Sequence, residues 1–101
     1  MPELFDVVEL LVTLPESNLH VGVRGAIVDC YADGNYEVEF SDSSGETIAL
    51  CTLSSEQILV VWNAKEGRWL SVSEQLAGMI ERLSDERQQQ VLEFARSLSE
   101  R

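Results

Sequence analysis

The run Tyr36-Glu37-Val38-Glu39-Phe40 alternates apolar and acidic side chains without a break, the pattern of an antiparallel strand with one buried and one wet face. Similar short runs flank it, each bounded by turn chemistry. Phe5 to Leu14 is rich in Val and Leu and stops at Pro15, which has no amide to give a ladder, so a first strand should run into a long loop, Pro15 to Val23. Gly22 and Gly25 flank Val23-Arg24, a spacing suited to a tight turn or bulge at the entrance to a second strand, Ala26 to Tyr31. Asp33-Gly34-Asn35 tolerates positive φ and predicts a hairpin into Tyr36–Phe40. Asp42-Ser43-Ser44-Gly45 turns the chain into a fourth strand, Glu46 to Leu53. Ser54 to Gln57 then predicts one helical turn before a last strand, Ile58 to Trp62. Five short strands and a long first loop predict a small, partly open SH3-like β-barrel over residues 1–62. Curling the sheet hides edges that a flat one would expose.

Beyond Trp62 the period changes. Residues 63–70 are polar and short, a linker or turn. Ser71-Val72-Ser73-Glu74 fits a capping box, in which the serine and glutamate side chains satisfy free backbone amides. Leu76, Met79, Ile80 and Leu83 follow at helical spacing. Ser84-Asp85-Glu86 reads as a second N-cap with acids on the positive end of the dipole, and Val91, Phe94, Ala95 and Leu98 form a second stripe. Residues 71–101 are therefore expected to form a two-helix hairpin. The predicted fold class is β + α, a five-stranded SH3-like β-barrel followed by a C-terminal α-helical hairpin.

The hairpin carries more apolar surface than it can hide. Each helix would be about 13 to 16 residues long, near the length at which isolated helices are marginal in water. Large apolar side chains are worth roughly 1.5–3 kcal/mol each when fully buried. Two helices cover each other only along a shared seam, so a remainder must meet the barrel, another copy of the chain or a different protein. Leu76, Ile80, Leu83, Val91, Phe94 and Leu98 are accordingly candidate partner-binding residues. Trp62 and Trp69 bracket the linker. They either pack the junction between barrel and hairpin or anchor a partner, tryptophan being enriched at interface hot spots.

Charge sharpens this picture. The net charge is −11, and it is unevenly placed. Residues 1–62 hold eleven acids against one base, Arg24, whereas residues 63–101 hold seven acids and six bases. So negative a field repels phosphate backbones, which argues against direct nucleic-acid binding, and speeds encounter with a basic protein partner. Apolar residues at 45% and charged residues at 25% fit a globular chain, and no apolar run approaches the roughly 18 residues that cross a bilayer. Met1-Pro2-Glu3 does not open a secretory signal, so a cytoplasmic protein is expected, with Cys30 and Cys51 as buried, reduced core residues.

Candidate chemistry is sparse. The single histidine, His20, lies in the loop after the first strand, and no Ser-His-acid or Cys-His set has a motif around it. Glu37 and Glu39 sit on a wet strand face rather than as an acid–base pair. Gly22 and Gly25 match neither nucleotide fingerprint. No catalytic residue, cofactor or metal site is expected, and the chain reads as a non-enzyme.

Two resemblances extend the reading. Leu4-Phe5-Asp6-Val7-Val8-Glu9-Leu10, Leu14-Pro15-Glu16 and Val21-Gly22-Val23-Arg24-Gly25-Ala26-Ile27-Val28 resemble a family of short bacterial, often cyanobacterial, proteins known as a domain of unknown function. Tyr36–Phe40 and Gly45–Leu53 continue the likeness through Val61. The resemblance implies an SH3-like barrel and the role of the small partner in a two-gene, toxin–antitoxin-like arrangement. The tail from Leu76 to Leu98, with Leu83-Ser84-Asp85-Glu86-Arg87, is similar to a second uncharacterised family of short helical segments common in antitoxin-like proteins. Those usually carry Leu-Pro at the junction, where Ser84 stands here. The expected function is thus an acidic protein-binding module, an antitoxin- or immunity-like neutraliser of a partner encoded nearby. The alternative is a homodimeric structural or accessory subunit of a larger enzyme complex.

Overall fold

In the computed structural model, which describes residues 1–100, the N-terminal part is one antiparallel sheet. Its strands are β1 (Val7–Leu10), β2 (Arg24–Cys30), β3 (Asn35–Ser41), β4 (Thr47–Ser54), β5 (Ile58–Asn63) and β6 (Arg68–Trp69). They lie in the order β4-β3-β2-β1-β5-β6. The strictly alternating run is β3, and Tyr36, Val38 and Phe40 are buried while Glu37 and Glu39 stay half-exposed on the opposite face. The core is built from Val8, Leu10, Ile27, Val38, Phe40 and Ile58, with Leu19 from the long loop and Leu53 closing its margins. Asp33-Gly34-Asn35 makes the expected hairpin, with Gly34 at φ 89° and the Asp33 carboxylate accepting from the Asn35 amide at 3.0 Å. Ser54 and Gln57 form a reciprocal cap on the 3-10 turn that feeds β5.

Four expectations for this part need correction. The sheet has six strands, not five, because residues 63–70, expected as a linker or turn, make a turn that adds a short sixth strand. Asn63 accepts from the Glu66 amide at 2.8 Å, and the chain turns back so that Trp69 pairs with Trp62 and Arg68 with Asn63. The sheet is also open rather than a closed barrel: β4 and β6 are its two ends, and no ladder joins them among the described residues. β5 pairs with β1 along most of its length and with β6 at Trp62 and Asn63, and β4 does not pair with it. The first strand is shorter than Phe5 to Leu14, since Phe5 takes φ 71° and breaks the extended run. Cys30 is exposed and Cys51 half-buried, against the expectation that both belong to the core. Cys30 lies beyond the bulge between Ile27 and Asp29, where β2 loses its in–out alternation.

The tail forms two helices, α1 (Val72–Ile80) and α2 (Asp85–Ser99). Each opens at the predicted cap. The Glu74 amide donates to Ser71 Oγ at 3.1 Å and the Arg87 amide to Ser84 Oγ at 3.2 Å. They do not zip into a packed hairpin, however. α1 rests on β5, with Gly78 facing Leu59 and the Arg82 guanidinium donating to the Ile58 carbonyl, whereas α2 packs extensively on no other element among the described residues. Neither helix contains a buried residue. The radius of gyration, 15.0 Å, exceeds the about 13 Å typical of 100 compact residues, consistent with a projecting tail. Ser84 restarts the backbone as a fresh N-cap, and the side-chain amide of Gln88 then donates to the carbonyls of Ile80 and Leu83, so hydrogen bonds fix the junction. Arg101, the end of the expected hairpin, lies outside the described residues.

Candidate interaction surface

The predicted partner-binding residues fall into two groups. Trp62 is half-buried at the end of β5 and meets Trp69 of β6 edge to face, with ring centroids 6.5 Å apart. The Arg24 guanidinium, the only base of the first 62 residues, lies over Trp69 at 5.4 Å from its ring centre. The pair therefore packs within the sheet, on the β5–β6 hairpin that leads into α1, although Trp69 keeps 57% of its surface exposed. Cation–π stacking of this kind holds the hairpin against β2 without needing a deep core.

The other six residues all lie on the tail. Leu76, Phe94 and Leu98 are exposed, while Ile80, Leu83 and Val91 are half-buried. Two shallow concavities bring some of them together. Leu83, Val91 and Phe94, with Arg87 and Gln90, line one of about 300 Å³; Ile80, Val91, Leu92 and Ala95 line another of about 500 Å³. Leu76 stands apart, with Val72, on α1. The structure thus places an apolar, largely uncovered surface on α2, and Phe94 at 66% exposure is its most prominent side chain. An exposed phenylalanine on a helix without a packed face is unusual, because helix stability in proteins comes chiefly from burying the amphipathic side.

Electrostatics rigidify the root of this tail. Arg68 reaches from β6 to the first turn of α1 and donates to both oxygens of Glu74, at 2.9 and 2.7 Å, while its Nε donates to Glu66 at 2.7 Å. The Glu74 carboxylate also accepts from the Ser71 amide at 2.9 Å. The Arg68 hydrogen bonds foremost, then the Ser71 amide, hold the Glu74 carboxyl down to about 2 from its ordinary 4.5. A depressed folded pKa means that the contact stabilises fully above pH 4.5 and is lost as pH falls through about 2. The Ser71 and Glu74 amide resonances should therefore titrate near pH 2; a midpoint near 4.5, or no change in Glu74→Gln, would show the clamp to be absent in solution. Arg68 responds in the opposite direction, its guanidinium being held more firmly protonated by Glu74 and Glu66.

Elsewhere the chemistry is slight. His20 is exposed in the loop after β1, and among the described residues no group of three or more His, Cys, Asp or Glu side chains is placed to hold a metal ion. The Cys30 thiol is pushed up, first by partial desolvation and then by the charges of Asp29, Asp6 and Glu3, which disfavours the reactive thiolate. No helix of the described residues is long and apolar enough to cross a membrane.

Sequence reasoning missed Asp6, which is 1% exposed and accepts from the Glu3 amide at 2.9 Å and the Ala64 amide at 2.8 Å. It thereby ties the N-terminal segment to the end of β5. The Glu3 contact is local, but nothing in the spacing marks the second partner, Ala64, which lies 58 residues on in sequence. Compared with known proteins, residues 4–60 match the family model described as Domain of unknown function (DUF4926). No curated protein and no solved structure matches the chain.

Proposed function

Since the chain belongs to the DUF4926 family, whose description assigns no chemistry, we propose a function from its surfaces: a non-enzymatic, acidic protein-binding module that grips another protein with its helical tail. The observation that carries this reading is α2. It is a 15-residue helix with no buried residue, and Phe94 and Leu98, one turn apart on the same stripe, are 66% and 49% exposed. Such a helix is marginal in water alone and gains most of its stability when something covers its apolar side. The net charge of −11 favours a basic protein as that cover, the field steering encounter and the buried apolar anchors governing dissociation. Pairing of β1 with both β2 and β5, with a 3-10 turn leading into β5, supports an SH3-like origin for the sheet. This fits an antitoxin- or immunity-like neutraliser whose partner is encoded nearby, in a cytoplasmic setting, with the tail belonging to the helical segments common in antitoxin-like proteins.

Co-expression with the product of the adjacent gene tests the proposal. Phe94→Ala or Leu98→Ala should weaken that complex at least tenfold, about 1.4 kcal/mol, while leaving the melting of the sheet unchanged. If no complex forms and both variants match the wild type, the reading is wrong. The same α2 face would equally serve a homodimeric accessory subunit. A stable dimer of the chain alone, dissociated by Phe94→Ala in sedimentation equilibrium, would favour that second reading.

A further inference from the structure

We propose that β4 is a second docking edge, which takes up an extended basic segment of a protein partner as an added strand of the sheet. The inference deepens the protein-binding reading and rests on it, but uses a surface separated by three strands from β5, where α1 sits. β4 is eight residues long and ends the sheet, so alternate N–H and C=O groups along its outer side have no strand partner. Edges of this length are usually blunted by a lysine, a proline, an inward charge or a bulge, and here the one irregularity lies at the N-terminal end, where Phe40 pairs with Ala49 and Ser41 with Thr47. Of the side-chain devices the strand Thr47-Ile48-Ala49-Leu50-Cys51-Thr52-Leu53-Ser54 has none, and Ile48 and Leu50, two residues apart on one face, are 55% and 57% exposed. Toward its C-terminal end the edge opens into a cleft of about 450 Å³, bounded opposite by Leu14, Pro15, Glu16 and Ser17.

Charge identifies the occupant. Leu50 lies opposite Glu39 and Thr52 opposite Glu37 on the same outward face. Thr47 donates its hydroxyl to Glu39 at 2.9 Å and Thr52 to Glu37 at 2.7 Å, so both carboxylates lean across β4 toward the free edge. Neither glutamate forms an ion pair among the described residues, and Glu16 adds a third carboxylate at the cleft. A strand laid beside β4 would lie about 4.8 Å from it. From there lysine side chains on its outward face would lay their methylene stems on Ile48 and Leu50 and carry their ammonium groups over to Glu37 and Glu39. A second copy of β4 would satisfy the same backbone groups but bring like charges together.

The test is a titration of the isotopically labelled full chain with the peptide acetyl-Lys-Val-Lys-Val-Lys-Val-Lys-amide and with its glutamate counterpart. With the basic peptide, the amides of Thr47–Ser54 should shift saturably and gain protection from hydrogen exchange, and the acidic peptide should do neither. Ile48→Lys and Leu50→Lys, both at exposed positions, should each weaken the effect about tenfold, and Phe94→Ala should leave it unchanged. This last comparison separates the edge from the tail, whose own failure would be read only in the adjacent-gene complex. The proposal is overturned by equal response to both peptides, by shifts spread over the acidic surface without saturation, by no shift at all, or by β4 protection that already exists without peptide in a concentration-dependent dimer.

Discussion

Gly25→Ala is expected to lower the stability of the sheet by about 3 kcal/mol. Gly25 is buried in β2, opposite Val8 of β1, and a Cβ there would stand 2.8 Å from the Glu39 carbonyl oxygen, from Phe40 Cδ1 and from Val38 Cγ1. Two of those neighbours belong to fully buried core side chains, and the third is backbone fixed in the β2–β3 ladder. None can move without disturbing the ladder or the core. A domain of this size should melt at least roughly 10 °C lower, read by tryptophan fluorescence or calorimetry. A shift below about 2 °C would mean that β2 and β3 can part at this point without cost.

Asp6→Ala should cost about 2–3 kcal/mol by a different route. The substitution removes the acceptor for the Glu3 and Ala64 amides together, and the site is shielded enough that Asp6 is 1% exposed. Buried donors left unsatisfied are penalised by their full desolvation. Beyond the loss of stability, the amides of Glu3 and Ala64 should exchange with solvent much faster, while those of β3 and β4 keep their protection relative to global unfolding. Asp6→Asn retains one carbonyl acceptor but presents an NH2 group to the second amide, so an intermediate loss is expected. If Asp6→Ala melts like the wild type, the tie between the N-terminal segment and β5 does not matter to the fold.

The difference between these residues and the ones legible in the sequence is physical. Tyr36–Phe40 could be read because a strand buried on one face repeats every two residues, and Ser71 and Ser84 because a cap is a local contact between residues three apart. The 3-10 turn at Ser55–Gln57 was legible for the same reason. By contrast, β6 is two residues long, too short for any period, and exists because Trp69 and Arg68 find register with Trp62 and Asn63. Whether the sheet closes depends on which strand takes the second side of β5, a non-local competition that no run of residues records. Gly25 looked like turn chemistry, since its need to lack a side chain arises from Val38, Glu39 and Phe40, more than ten residues on. The stripes on α1 and α2 showed correctly that the helices own an apolar side. Their spacing carries nothing about what meets that side, and the expectation that the two would meet each other was the part the fold did not follow. Of the candidate residues, Trp62 and Trp69 turned out to pack on each other, which spacing left open, whereas Phe94 and Leu98 remain uncovered.

That α2 stands clear of the sheet has a thermodynamic corollary. Cooperative unfolding requires elements to share contacts, and the core residues all come from the sheet and its long loop. Heating should therefore uncoil α2 gradually, ahead of a sharp transition in the strands. Mutational drift in one part is then largely invisible to the other, leaving the tail free to change its surface without endangering the scaffold that carries it.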